Sequence, residues 1–190
     1  KLFNDETFLE LWCDPLIDYL GRKRCVLVQA FDSEPKVKNA HTKRLFPSEI
    51  FKMGLIRLSA PYIRTAKQNE EVALFVERVN TQIEAEFQVS DILSEDSIHG
   101  ILRRKITKLV VIKKRLNYMK PKAVVLVISG GEELYIEACK QLSIPTIELQ
   151  HGNISPFVLA YQHSGTATKK NFPDFFLSFG KYWESSVDFP

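Results

Sequence analysis

Apolar and polar positions divide the chain into a helical first two thirds and a final third that alternates strand, helix and strand. In residues 6–20, Phe8, Leu9, Leu11, Trp12, Leu16, Ile17 and Tyr19 recur at helical spacing. Gly21 supplies the stop, and Pro15 interrupts the pattern, predicting a kinked helix or two short ones. Residues 24–31 read as a first strand, whose unbroken apolar run from Cys25 to Val28 suits burial on both faces. The stretch 36–66 is the least patterned. Pro47-Ser48-Glu49 offers a short helix through Met53, and residues 55–58 a small strand or a turn. Val72, Phe75, Val76, Val79, Ile83 and Phe87 then mark a long helix within 61–93. A second, over 97–118, carries Ile98, Leu102, Ile106, Leu109, Leu116 and, just past its end, Met119 on one side.

The last third changes period. Residues 122–129 form a buried strand, Gly130-Gly131 a turn, and 132–142 a helix carrying Leu134, Tyr135, Ala138 and Cys139. Strands follow at 146–150 and 175–179, the latter between Pro173-Asp174 and Gly180. Strand, helix and strand joined by short loops predict a βαβ unit. The expected fold is α/β: a Rossmann-like, mostly parallel sheet flanked by helices, with the helical pair (about 61–119) inserted between the first and second main strands. The 190 residues suit a single domain. A hydrophobic content of 45% with 26% charged residues excludes a disordered chain, and a net charge of +3 excludes a polycation. Cys13, Cys25 and Cys139 have no metal-ligand or paired spacing, which predicts buried, reduced thiols and a cytoplasmic protein. No run reaches the ~20 apolar residues of a membrane span. With no initiator Met and no helix stop at 187–190, the sequence reads as part of a longer polypeptide.

Charge separates the two long helices. Residues 67–96 hold eight acidic and two basic side chains, whereas 103–122 hold nine basic and no acidic ones. Two readings follow: an antiparallel pair whose solvent faces attract each other, or a basic face for a membrane surface or nucleic acid. Sparse aromatics among the bases disfavour single-stranded nucleic acid.

In open parallel sheets the ligand crevice lies beyond the carboxyl ends of the strands, where the polar loops of this chain fall. Gly130 and Gly131 admit close backbone approach, but Glu132 and Glu133 already satisfy the positive helix end, arguing against phosphate. Neither GxGxxG nor GxxxxGK[ST] is present. On residues 146–150, Glu148 and Gln150 share one face, a costly placement unless they are paired or face a crevice. His151 follows at the strand end, beside Gly152 and Asn153. An imidazole there can take a proton from a hydroxyl or donate to an anion. The loop from Tyr161 through Asn171 reads as a flap over the crevice or as an idle connection. Asp174 caps a turn or faces the site. GxSxG, HExxH and a Cys–His pair are all absent.

Residues 144–152 (IPTIELQHG), Tyr161, residues 172–180 (FPDFFLSFG) and Trp183 resemble the N-terminal half of GT-B glycosyltransferases that build bacterial capsule or lipopolysaccharide glycans. The likeness covers residues 120–184. Where that family carries a histidine and a glycine before the tyrosine, this chain has Val158 and Ala160. The resemblance implies an acceptor-binding domain working in a cleft with a second domain, which holds most of a nucleotide-sugar donor. It implies no bound metal, and a location in the cytoplasm, peripheral at the inner membrane face. His151 becomes the base or an orienting donor, with Glu148 and Gln150 positioning it or the acceptor. Gly130, Gly131 and Gly152 give backbone access, Asn153, Tyr161 and Asp174 are further substrate contacts, and residues 103–122 would dock at an anionic membrane carrying the acceptor. Alternatives are a non-catalytic Rossmann-like binding or scaffold domain, a nucleotide-sugar epimerase, and a nucleic-acid or phosphoinositide binder using the basic helix.

Overall fold

The computed structural model describes residues 2–4, 7–9, 12–29, 38–39, 45–47, 62–155, 158, 161 and 172–185. In chain order the elements are β1 (Leu2–Asn4), β2 (Thr7–Leu9), α1 (Asp14–Leu20), β3 (Leu27–Gln29), β4 (Lys38–Asn39), β5 (Leu45–Pro47), α2 (Ala66–Phe87) and α3 (Glu95–Met119). Then follow β6 (Val124–Leu126), α4 (Glu133–Gln141), β7 (Thr146–Leu149), β8 (Phe175–Leu177) and α5 (Lys181–Glu184). The short helix expected through Met53, the segment 55–58 and the flap 162–171 lie outside the described residues.

The fold is α/β. Strands β6, β7 and β8 pair in parallel in that order, with Leu126 opposite Glu148 and Glu148 opposite Phe176. The C-terminal half of α3 packs with α4, where Ile112, Leu116, Ala138 and Cys139 are buried and Leu109, Met119, Val124, Leu134 and Ile144 close around them. Cys139 is fully enclosed; burial, with the Asp174 carboxylate adding to it, pushes its thiol up to about 11. Cys13 and Cys25 are in no disulfide and are only half-buried, so the expectation of three buried thiols holds for one.

The N-terminal part departs from its pattern in two places. The helix expected over 6–20 begins only at Asp14, with Pro15 in its first turn; Thr7–Leu9 instead pairs antiparallel with Leu2–Asn4. A ring nitrogen without a proton is harmless in a first turn and disruptive inside a helix, so Pro15 marks the start rather than a kink. Strand β3, within the segment expected as the first main strand, pairs in parallel with β5 and, among the described residues, not with the β6–β8 sheet. Leu27 is buried against Ile17, while Val26 and Val28 are exposed. A short apolar run does not specify one covered face or two.

Both long helices open on capping boxes. Thr65 Oγ1 accepts from Gln68 N and Gln68 Oε1 accepts from Thr65 N; Ser94 and Ser97 repeat the exchange. Val72 and Val76 are the buried part of the α2 stripe, whereas Phe75 and Phe87 are exposed. The return turn is tied down by Asn80, whose side chain donates to Leu93 O and accepts from Leu93 N. Among the described residues no ion pair runs directly between α2 and α3: Lys105 of α3 pairs with Glu137 of α4, and Arg64, ahead of α2, pairs with Asp96 in the first turn of α3.

Strand β8 is fixed to β7 at its amino end. Asp174 Oδ2 accepts from both Thr146 N (2.8 Å) and Thr146 Oγ1 (2.7 Å), and Asp174 N donates back to Thr146 Oγ1 (3.0 Å). Burial opposes ionisation of Asp174, but the donors from Thr146 outweigh it and hold the carboxyl below its ordinary value. Its stabilisation is therefore complete above the unfolded carboxylate pKa of about 3.9 and fades as pH falls through the lower folded value. Urea unfolding of the wild type should weaken on acidification through that window more steeply than that of Asp174→Asn, which has no carboxylate to protonate.

Candidate functional site

Alternation along β7 turns its polar side inward. Thr146, Glu148 and Gln150 are 0%, 2% and 1% exposed, while Ile147 and Leu149 are half-buried. Polar atoms this deep need partners, and each has one. Thr146 has Asp174. Glu148 Oε1 accepts from the Tyr161 hydroxyl at 2.9 Å. Gln150 Oε1 accepts from Phe179 N at 2.6 Å, and its Nε2 donates to Gly152 O at 2.9 Å. Gln150 thus holds together the two loops that leave β7 and β8. That occupies its amide oxygen and one amide proton and fixes the rim.

His151 stands where β7 ends, half-buried, with its Nδ1 3.4 Å from the Tyr161 oxygen. Tyr161 is 5% exposed, and burial, its bond to Glu148 and the charge of that carboxylate all raise its pKa, so the phenol keeps its proton. That proton points at Glu148. The phenol oxygen facing His151 can accept in turn; a tautomer with its proton on Nδ1 would donate to it and carry its lone pair on Nε2. Carboxylate, phenol and imidazole follow one another from the buried strand to the rim, with the imidazole outermost.

An aromatic surface adjoins this imidazole. Trp12 meets the His151 ring edge-on (centroids 6.5 Å apart, 87°) and stacks on Phe179 (6.2 Å, 22°). Trp12 is 38% and Phe179 59% exposed, so apolar faces remain open beside the imidazole. Tyr161 is braced from within by the edge of Phe176. Sequence spacing placed Trp12 on a helix stripe, and nothing in its neighbourhood signalled the site. Phe179 carried a hint, since it follows the strand next to β7 at the same end.

Gly130 and Gly131 lie on the same rim, after β6; Gly131 adopts φ +92° and its amide donates to Glu133 Oε1 at 2.9 Å. The acidic helix start consumes that amide, in keeping with the argument against phosphate. Burial raises the Glu132 pKa and Glu133 adds to it, against the pull of Lys108. Gly152 is half-buried and Asn153 exposed beside His151. Asp174 stands apart. It lies level with Thr146, at the amino end of the strands, about 16 Å of extended chain from His151, and its carboxylate serves the β7–β8 joint. Expected as a substrate contact or a cap, it acts in the structure as the clamp.

No family model matches the chain, and neither the curated proteins nor the solved structures include a match. Among the described residues, no group of three or more His, Cys, Asp or Glu is placed to hold a metal ion, and no helix is long and apolar enough to cross a membrane.

Proposed function

We propose that this chain is the acceptor-binding, Rossmann-like N-terminal domain of a GT-B-type glycosyltransferase that moves a sugar from a nucleotide sugar to a surface-glycan acceptor. The observation that carries the reading is the Glu148–Tyr161–His151 line ending beside the open faces of Trp12 and Phe179. Sugars present apolar C–H faces together with hydroxyls, and an aromatic shelf beside an imidazole suits both. In the proposed step, the acceptor hydroxyl oxygen bonds to the anomeric carbon and its proton passes to His151 Nε2. The bond from that carbon to the diphosphate breaks, and the nucleoside diphosphate leaves with the electron pair. The donor would sit chiefly on a second domain facing this rim.

The test is a transfer assay of the intact protein with a panel of labelled nucleotide sugars and glycan acceptors. Acceptor-dependent label transfer is expected. Conversion of the nucleotide sugar without any acceptor would instead identify an epimerase, and neither transfer nor conversion would identify a binding domain. Within the same assay, Trp12→Ala should raise the acceptor KM by about 5- to 10-fold, equivalent to ~1 kcal/mol of lost stacking, with little change in kcat.

A further inference from the structure

We infer that the α2–α3 hairpin is a self-association surface on which two copies of this chain lie side by side in opposite directions. The Asn80–Leu93 tie fixes where α3 turns back along α2, so residues 81–87 extend past that point and form a tip with the turn that follows. Phe87, Val89 and Ile92 are 68%, 48% and 52% exposed there. Around them stand Glu84, Glu86, Asp91 and Glu95, all exposed, and residues 79–102 contain five acidic side chains and no Lys or Arg. At the other end of α3 the signs reverse. Ile112 and Leu116 are turned in, while Lys114, Tyr118, Lys120 and Lys122 are exposed, Tyr118 at 88%. Of the five acidic side chains, Asp96 pairs with Arg64; the ion pairs among the described residues do not use Glu84, Glu86, Asp91, Glu95, Lys114, Lys120 or Lys122.

Such a hairpin is a rod with an acidic, apolar tip and a basic base. A partner must show the inverse pattern at the same spacing, and a second copy turned by a two-fold axis does so: each tip meets the other copy's base, twice. The apolar tip then has the ring of Tyr118 to cover it, and the charges fix register. With Asn80 level with Leu93, the helices overlap side by side over about 14 residues, ~20 Å, and each runs on beyond the other at its own end.

Sedimentation velocity of the intact protein tests this directly. The wild type should sediment as a dimer whose dissociation constant rises with salt. Glu84→Lys/Glu86→Lys should weaken the dimer by on the order of 10-fold or more, and so should Lys114→Glu/Lys122→Glu. The four changes together, which exchange the sign of both ends, should bring the dissociation constant back toward the wild-type value. That rescue also shows that each pair alone left the fold intact. A monomer at every concentration, or a dimer indifferent to both reversals, would overturn the inference. So would a monomer that binds anionic phosphatidylserine vesicles and loses them with Lys114→Glu/Lys122→Glu, because the basic end would then belong to a membrane.

Discussion

Alanine at position 151 should lower sugar transfer by the intact protein by about 10²- to 10⁴-fold, the usual contribution of a general base. The effect should fall on kcat, because the imidazole acts on the hydroxyl proton and not on the bulk of the acceptor. Stability should hardly change: His151 is half-buried, its neighbours are edge contacts and one long hydrogen bond, and removing it leaves Tyr161 still bonded to Glu148. A steady-state assay paired with a thermal melt separates the two quantities. Equal turnover in wild type and His151→Ala would leave the rim without its base.

The opposite balance is expected for Tyr161→Phe. The hydroxyl it removes is the hydrogen bond to Glu148 found among the described residues, and that carboxylate is 2% exposed. Leaving a buried acceptor unpaired costs about 1–3 kcal/mol, more when the group is charged, whereas removing both partners can be nearly neutral. Tyr161→Phe should therefore destabilise the fold by at least ~2 kcal/mol, with Tyr161→Phe/Glu148→Leu recovering part of the loss. Urea denaturation of the two variants measures this. Turnover should drop less than with His151→Ala, since Nε2 remains in place. If the double variant were less stable than Tyr161→Phe, Glu148 would be held by something other than the phenol.

The sheet was legible because its strands are short apolar or alternating segments set off by glycine and proline. Thr146–Leu149 and Phe175–Leu177 fall inside the expected segments, and the helix ahead of them is one residue shorter at each end than expected. Glu148, Gln150 and His151 were identifiable from polarity on an apolar strand, which follows from alternation alone. What they bond to was not, because Tyr161 and Phe179 approach through loops whose path the side-chain period does not encode. Trp12 was invisible for a stronger reason. It lies 139 positions before His151, and an aromatic residue at helical spacing is indistinguishable from core until its neighbours are known. Asp174 illustrates the converse. Its position before a strand was compatible with either role, and only its hydrogen bonds to Thr146 assign it to the joint.

Nitrogen-15 spectra of the His151 side chain at neutral pH reach the centre of the account without requiring any substrate. A ring proton on Nδ1, with Nε2 resonating as an unprotonated nitrogen, and redistribution of that proton in Tyr161→Phe, is the predicted result. A proton resident on Nε2 in the wild type, unaffected by loss of the phenol, would contradict it.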